Sequence, residues 1–470
     1  MEIISRTYYA KRVDAWLGKG QIIVLVGQRR VGKSFVLKDF VIRHKTEPNA
    51  NIIYIDKEKK DFNYIQNHEQ LNGYIDEHFA AGKHNYILID EVQDIAGWEH
   101  SVRSFRTEDS TDIIITGSNS KMLSGELSTL LAGRYEEIHV QSLSYTEFLE
   151  FHNLTDSDEA LWKYLNFGGL PALKDIGIDN EGMVSEYLSG VFNTIMLKDI
   201  IERHTIRNIP FIRNLVVFMA DTIGKLNSAN SIVKYMRSQN VEVSTNIVLN
   251  YMSYFCEAYL THKVDRYDIH GKKLLESNSK CYFGDIGLRN FIAGGERDTD
   301  IEKVIENVVY LHLLHLGYTV KVGQLRAGEI DFVCTKPGKK AYVQVAYLIA
   351  NQETKEREFG NLCLIPDNYP KYVISASPLL KSSDNKGVTH LHLRQFLTKG
   401  IKQSNPKNQT ANHYLTTSYQ KKHHQREGSF DGVFCEKCLI ISQMIVERIQ
   451  GPHFFNSSYF SFCSLSRNQP

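Results

Sequence analysis

The sequence predicts an α/β protein whose first 150 residues form a parallel sheet covered by helices. Short apolar runs recur at regular intervals, and the segments between them are long enough to hold helices, as in parallel strands joined by helical crossovers. The first run leads straight into a loop with two glycines, which is followed by a helix-forming segment. The five runs are Gln21–Val26, Asn51–Ile55, Tyr86–Asp90, Asp112–Thr116 and Glu137–Val140.

Length and composition limit the classes of protein to consider. The chain has 470 residues, which at roughly 100 to 200 residues per domain allows two to four domains. Its formal net charge of +1 lacks the strong basic bias that would by itself indicate nucleic acid or an anionic membrane as the partner. The seven cysteines occur mostly singly, unlike a secreted disulfide framework, and no run of about 18 apolar residues appears. We therefore expect a cytoplasmic protein.

The loop after the first strand has the spacing of a phosphate-binding loop, or P-loop. Its glycines let the backbone fold so that N–H groups and the helix N-terminus face phosphate oxygens. Lys33 can reach the β and γ phosphates, and the Ser34 hydroxyl can bind Mg²⁺. A chance Gly-Lys-Ser turn before a helix is the alternative. The predicted nucleotide-binding residues of the loop are Gly27, Gln28, Arg29, Arg30, Val31, Gly32, Lys33 and Ser34.

Two acids end the third apolar run. Asp90 is predicted to bind the nucleotide and its Mg²⁺ together with Ser34, and Glu91 to polarise the water that attacks the γ phosphate. Two acids on a buried strand end would be costly without a cation. The fourth run ends just before Ser118 and Asn119, where a side chain that senses the γ phosphate would lie. We predict Asn119 as a catalytic residue; an ordinary turn is the alternative.

The rest of the chain divides into four further segments. Helical periodicity with a Gly-Gly-Leu-Pro break predicts a helical connector over residues 151–225. The order helix, turn, helix and β-ribbon predicts a winged helix over 226–284, and a helix followed by strands predicts a small α/β domain over 285–398. Residues 399–470 are polar and aperiodic, which predicts a mostly disordered tail.

The motifs together resemble those of bacterial and archaeal AAA+-like ATPases in which a winged helix and a restriction-endonuclease-like domain follow the P-loop domain. The likeness spans residues 1–398 and rests on GQRRVGKS, ILIDEVQ, ITGSNS, LAGRYEE with LSYTEF, GGLP, and EIDFV with YVQVAY. It implies ATP rather than GTP, and the sequence has no guanine-reading N-K-x-D motif. It also implies that Arg134 contacts the γ phosphate of its own or a neighbouring subunit. A salt bridge at a helix end is the alternative.

The nuclease-like segment departs from the catalytic pattern of such enzymes. That pattern has a helix acid, an Asp, and an Asp or Glu two residues before a Lys, because Mg²⁺ needs convergent oxygens and the attacking water needs a nearby cation. The matching positions are Glu306, Asp331, Gln344 and Ala346. Since Gln344 offers a neutral carbonyl and Ala346 no ligand, we predict no DNA cleavage and a domain used for binding or scaffolding.

Two functions fit these patterns. The first is an ATP-hydrolysing switch in which the nucleotide state repositions the C-terminal domains; the second is a regulatory module that holds ATP with little turnover and binds protein or DNA. Glu91 favours the first. The predicted recognition helix, about residues 244–259, has no Lys or Arg. DNA binding is therefore expected to be weak, sequence-independent and carried by phosphate contacts at residues such as Lys272 and Lys273, with solvated surface charge as the alternative.

The tail adds one further pattern. Cys435 and Cys438 form half of a zinc site, and no second pair with finger spacing follows, so an unpaired reduced pair is the favoured interpretation. Homo-oligomerisation and a protein partner are left open by the sequence.

Overall fold

The computed structural model describes residues 3–117, 131, 133–294, 300–326, 328–378 and 387–401. The predicted sensor residue Asn119 and the tail with Cys435 and Cys438 lie outside these residues. Within the described part of the chain, none of the helices is both long and apolar enough to cross a membrane.

A five-stranded parallel sheet forms the first part of the chain, in the order β2-β3-β4-β1-β5. Each strand coincides with one of the five apolar runs to within two residues at either end, so the predicted parallel α/β fold is confirmed. The strands are β1 (Ile22–Val26), β2 (Ala50–Asp56), β3 (His84–Asp90), β4 (Thr111–Gly117) and β5 (Tyr135–His139).

Helices cover both faces of this sheet, as strands buried on both sides require. The residues of β1 alternate between two apolar clusters, one on each face. One cluster includes Leu37 and Phe40, and the other includes Ile75 and Val102. The helices of this part are α1 (Thr7–Asp14), α2 (Lys33–His44), α3 (His68–His78) and α4 (Trp98–Phe105), with short 3-10 turns at Lys60–Phe62 and Val92–Asp94.

The strand order brings the P-loop and the acid pair to one edge of the sheet. β4 lies between β1 and β3, with Leu25 opposite Thr116 and Ile89 opposite Ile115. Because parallel strands have their carboxyl ends on one side, the loop after β1 and the acids at the end of β3 flank the end of β4. Ligands bind at this edge in open α/β sheets.

A helical region follows the first sheet. It starts with a capping box in which Ser144 and Glu147 bond each other's backbone N–H groups. The Gly-Gly-Leu-Pro break is fixed by tight contact, since a Cβ on Gly168 would lie 2.4 Å from the backbone N of Gly287. The elements are α5 (Tyr145–Phe151), α6 (Asp158–Phe167), α7 (Leu173–Ile176), α8 (Glu181–Thr194), a π-helical turn (Ile195–Glu202) and α9 (Ile209–Asp221).

The remaining described elements build a second sheet with its helices. They are α10 (Ala229–Ser238), α11 (Thr245–Glu257), β6 (Thr261–Asp268), β7 (Lys273–Phe283), α12 (Ile286–Ala293), α13 (Ile301–His315), β8 (Thr319–Gln324), β9 (Glu329–Lys336), β10 (Lys339–Ala346), α14 (Gln352–Cys363), β11 (Lys371–Ser375), β12 (Val388–His392) and α15 (Leu393–Lys399). The seven strands are mixed in direction, in the order β12-β11-β10-β9-β8-β6-β7.

Strands of the two segments predicted as separate domains lie in one sheet. Helices α10 and α11 precede a ribbon of β6 and β7, as in a winged helix. Strand β6 also pairs in parallel with β8, with Arg266 opposite Val322. This pairing satisfies the backbone groups of an edge that would otherwise be open. The segments 226–284 and 285–398 thus share one sheet, and their winged-helix and nuclease-like classes stay predictions.

Candidate nucleotide-binding site

The P-loop turns sharply between β1 and α2. Gly27 has a φ of 142°, and a Cβ on it would lie 2.1 Å from the carbonyl oxygen of Val140, so a side chain has no room. Gly32 precedes the first residue of α2 with a φ of 97°, in the left-handed region that favours glycine. The loop therefore wraps around the N-terminus of α2, where unpaired backbone N–H groups attract anions.

Lys33 lies inside this loop and is 5% exposed. Its Nζ donates hydrogen bonds to the carbonyl oxygens of Gly27, at 2.9 Å, and of Gln28, at 3.1 Å. Burial lowers the pKa of Lys33, and the carboxylate of Glu91 acts in the opposite direction. The ammonium group is thus held by weak neutral acceptors that phosphate oxygens can replace.

The end of β3 is joined to β4 by the hydroxyl of Thr116. This hydroxyl donates to Asp90 Oδ1 at 2.5 Å and accepts a hydrogen bond from the Glu91 backbone N at 2.9 Å. Glu91 has a φ of 53°, a conformation that non-glycine residues seldom adopt and that is common at functional sites. Its Oε2 accepts a hydrogen bond from the Gln93 amide. Both acids are therefore fixed by neighbours. Thr116 lies within the ITGSNS motif, but the sequence alone does not indicate that it contacts both acids.

The environment of Asp90 fits a bound Mg²⁺. Burial raises the pKa of Asp90 to about 6, although the hydroxyls of Thr116 and Ser34 act to lower it. Asp90 Oδ2 is buried and has no hydrogen-bond partner within the described part of the chain. A buried carboxylate oxygen without a partner is costly, and carboxylate and hydroxyl oxygens are ligands that Mg²⁺ accepts. Ser34 and Asp90 would hold the ion.

A cavity of about 350 Å³ opens beside the P-loop. This volume lies within the usual range of ligand pockets. Its charged and polar lining includes Arg29, Lys33, Ser34 and Glu91. Its apolar wall is built by residues from four separate segments, namely Ile4, Phe35, Phe151, Pro171 and Ala172. The cavity therefore offers charged and hydroxyl groups to a phosphate chain and apolar surface to a ring.

Two of the predicted nucleotide-binding residues of the loop have buried side chains, so only their backbone is available to a nucleotide. The Val31 side chain is buried, and its carbonyl oxygen accepts a hydrogen bond from Arg6 Nη1 at 3.0 Å. The Gln28 side chain is also buried and reaches toward Gly284, where an added Cβ would lie 2.8 Å from Gln28 Oε1. Arg30 is exposed.

Arg6 of the N-terminal segment links the P-loop to α5. Besides its bond to Val31, Arg6 forms a two-pronged ion pair with Glu147, with Nε–Oε1 and Nη2–Oε2 both at 2.9 Å. Sequence reasoning missed this pair, because 141 residues separate its members.

Arg134 lies at the amino end of the strands, whereas the P-loop lies at their carboxyl end. Its carbonyl oxygen accepts a hydrogen bond from the Ile22 backbone N at 3.1 Å, and β5 starts there in parallel with β1. Five residues of strand separate Ile22 from Gly27, about 16 Å at 3.3 Å per residue. The exposed Arg134 therefore lies at the opposite end of these strands from the P-loop, which favours a neighbouring subunit over its own. Contact with the nucleotide of a neighbouring subunit stays a prediction.

The nuclease-motif positions gather around a buried lysine. Lys280 Nζ lies 2.8 Å from Glu306 Oε1, 2.7 Å from Glu329 Oε1 and 3.2 Å from Asp331 Oδ1. Gln344 Oε1 accepts a hydrogen bond from the Asp331 backbone N at 3.3 Å. Burial acts to lower the pKa of Lys280, but the three carboxylates raise it above its ordinary value. The ammonium group fills the space between the acids.

The described residues contain no group of three or more His, Cys, Asp or Glu side chains arranged to hold a metal ion. Lys280 comes from β7, outside the segment in which the nuclease motif is read, so the motif alone does not reveal it.

Comparison with known proteins places the chain in a family. Residues 19–149 match the family model of an AAA domain, and residues 158–299 match that of a domain of unknown function (DUF8612). An uncharacterised protein of Haemophilus influenzae is 34% identical over 380 residues, which cover 79% of this chain and 93% of that protein. An uncharacterised protein of Methanocaldococcus jannaschii is 30% identical over 377 residues, which cover 76% and 82%. The chain belongs to their family.

In this member of the family, the AAA domain contains the P-loop, the acid pair and Thr116, and it corresponds to the five-stranded sheet described above. The predicted AAA+-like P-loop fold of the first part of the chain is therefore confirmed. Among solved structures, a Walker-type ATPase of Pyrococcus abyssi aligns over 62% of this chain and 96% of its own chain, with 14% sequence identity and a TM-score of 0.44.

Proposed function

We propose that the chain is an Mg²⁺-dependent ATPase. The observation that carries this proposal is that the buried ammonium of Lys33 and the carboxylate of Glu91 line one cavity, and that Asp90, which precedes Glu91 in the chain, has a buried Oδ2 without a partner among the described residues. A phosphate cradle, a cation ligand and a base are the parts that phosphoryl transfer to water requires.

Each residue has a distinct task in this proposal. Lys33 and the N–H groups of the P-loop hold the β and γ phosphates, and Ser34 and Asp90 hold Mg²⁺, which when bound neutralises charge on those phosphates. Glu91 orients a water toward the γ phosphate and accepts its proton. The apolar wall around Pro171 packs against the base. ATP is favoured over GTP because the sequence lacks a guanine-reading motif.

The direct test is release of inorganic phosphate from ATP by the purified full chain, with Mg²⁺ and with EDTA in place of Mg²⁺. We expect turnover that requires the metal. ATP binding without hydrolysis, with or without added DNA, would favour the alternative of a regulatory module that holds ATP. Absence of ATP binding would contradict the site itself.

Repositioning of the C-terminal part by the nucleotide state is also proposed. Its support is a set of contacts that join the cavity to the second sheet. Pro171 lines the cavity, and within the same break the Gly169 backbone N donates to Asp285 Oδ2 at 2.8 Å. Ser142 Oγ donates to the Gly284 carbonyl oxygen at 3.1 Å. Movement of the break would therefore reach the junction between β7 and α12.

A second candidate activity, binding to the phosphate backbone of duplex DNA, is favoured by one surface of the second sheet. Lys340 Nζ lies 5.5 Å from the ring centre of Tyr267 and 5.3 Å from that of Tyr369. Burial lowers the pKa of Lys340; the carboxylate of Asp367, with Oδ2 3.9 Å from Lys340 Nζ, acts to raise it, and the nearby charge of Lys272 acts to lower it. We call this region the lysine surface; its cations are Lys272, Lys321 and Lys340, with Lys273 next to Lys272 along the chain.

Two other cations of the ribbon have polar partners of their own. Lys263 pairs with Asp265 at 3.1 Å, and Arg266 donates a hydrogen bond to Gln324. Lys272 and Lys273 are exposed at the turn of the ribbon. A cluster of lysines without a base-reading helix suits backbone contacts that do not depend on DNA sequence.

Fluorescence anisotropy with a duplex at two salt concentrations tests this activity. Affinity should fall steeply with salt, and Lys272→Ala/Lys273→Ala should flatten the dependence by about two units of slope. The control is Lys59→Ala/Lys60→Ala, a neighbouring exposed pair on the first domain. Absence of binding at low salt, or equal effects of both double variants, would leave the lysine surface as solvated charge or as a protein contact.

A further inference from the structure

An acid of the helical region reaches into the P-loop. Asp199 accepts two hydrogen bonds from Arg29, from Nε to Oδ2 at 2.9 Å and from Nη2 to Oδ1 at 2.7 Å. The Asp199 side chain is 2% exposed, whereas that of Arg29 is 20% exposed and lines the cavity. The pair joins residues 170 positions apart, and no sequence motif indicates it.

Asp199 lies on the π-helical turn Ile195–Glu202, which continues α8. Its neighbours Met196 and Ile200 are fully buried in the main apolar cluster, so the turn is anchored on its inner side. π-helical turns are rare and often occur at functional sites. The carboxylate is therefore presented to the P-loop by a rigid and unusual piece of backbone.

The charges around Arg29 favour a phosphate that binds beside Asp199 over one that replaces it. An arginine has five N–H donors, and Asp199 uses two of them, which leaves three for another acceptor. A buried carboxylate that loses its cation is strongly disfavoured, so exchange of Asp199 for phosphate is unfavourable. If the remaining donors bind the phosphate, Asp199 and the phosphate can both keep hydrogen bonds to Arg29. Guanidinium geometry suits such simultaneous contacts with carboxylate and phosphate.

We propose that Asp199 is a positioning residue that holds Arg29 as a ligand of the γ phosphate, so that the helical region contributes to the recognition of ATP against ADP. This inference rests on the proposed function, since it concerns the same nucleotide. The Arg29–Asp199 pair also forms a direct connection between the terminal phosphate and the turn that continues α8.

The test compares the affinity for a non-hydrolysable ATP analogue with the affinity for ADP, both with Mg²⁺, by fluorescence competition on the full chain. Asp199→Asn keeps the shape of the side chain and removes its charge. It should weaken binding of the ATP analogue about tenfold and leave ADP affinity unchanged, because ADP lacks the γ phosphate. A merely structural role would change both affinities or neither. Glu202→Gln, an exposed acid on the same turn, is the matched control.

A second variant keeps the test decisive if Asp199→Asn fails to fold. Arg29→Gln removes the partner from the cavity side and should give the same selective loss, and the double variant should add nothing to either single change. If the wild type binds no ATP, the proposed function fails. If the wild type binds ATP and the ratio of the two affinities is unchanged in the variants, the role of Asp199 alone is refuted.

Discussion

Replacement of Lys33 by alanine tests the phosphate cradle most sharply. The ammonium group now donates to two carbonyl oxygens at 2.9 and 3.1 Å inside the loop. With nucleotide bound, these neutral contacts are exchanged for contacts with charged phosphate oxygens. A hydrogen bond to a charged group contributes about 1.5–3 kcal/mol, so two such bonds contribute about 3 kcal/mol or more. Since each 1.4 kcal/mol is tenfold, Lys33→Ala should weaken ATP binding by at least about 100-fold.

The assay is equilibrium titration of a fluorescent ATP analogue against wild type and variant. Lys45→Ala is the control, because Lys45 is an exposed cation at the other end of α2. Thermal unfolding of both variants checks that the fold survives. An affinity in Lys33→Ala within about threefold of the wild type would refute the assignment of the loop, since a loss of about 3 kcal/mol cannot be hidden at that level.

Two further predictions concern Arg134 and the nuclease-like acid cluster, both of which the family resemblance indicates. Arg134→Ala should slow hydrolysis by about 10³-fold and leave ATP affinity nearly intact, because a cation at the γ phosphate acts mainly as charge shifts in the transition state. Mixing it with Lys33→Ala should restore turnover if Arg134 acts on a neighbouring subunit, and equal losses of binding and turnover would contradict the role. The wild type should leave plasmid DNA intact with Mg²⁺ or Mn²⁺, since Lys280 fills the acid cluster; cleavage that disappears in Asp331→Asn would show the opposite.

The first sheet could be predicted, and the main site residues could be proposed, because their signals are local. A strand buried on both faces is a continuous apolar run, and the P-loop and the acid pair each lie within ten consecutive residues. Gly27 illustrates the match, since the spacing assigns a glycine to a position at which the fold has no room for a side chain.

The missed residues are those whose partners are far away along the chain. Arg29 and Asp199 are separated by 170 positions, and Arg6 and Glu147 by 141. Each of these residues has an ordinary charged neighbourhood in the sequence, and the pairing exists because packing brings two segments together.

The second sheet shows a different limit of prediction from sequence. Periodicity predicts that the ribbon of β6 and β7 exists, but it does not reveal that β6 pairs with β8, because the backbone groups of an edge strand leave no trace in the side-chain pattern. The sequence pattern likewise does not reveal that Lys280 of the ribbon meets Asp331 of β9.

The most direct test of the central proposal is the pair of binding and turnover measurements on Glu91→Gln. The amide keeps the size of the side chain and one acceptor oxygen but cannot accept a proton at neutral pH. ATP affinity should stay within about threefold of the wild type, and the rate of phosphate release with Mg²⁺ should fall by about 100-fold or more, as for removal of a general base. Turnover at the wild-type rate in Glu91→Gln would contradict the assignment of Glu91 as the catalytic base.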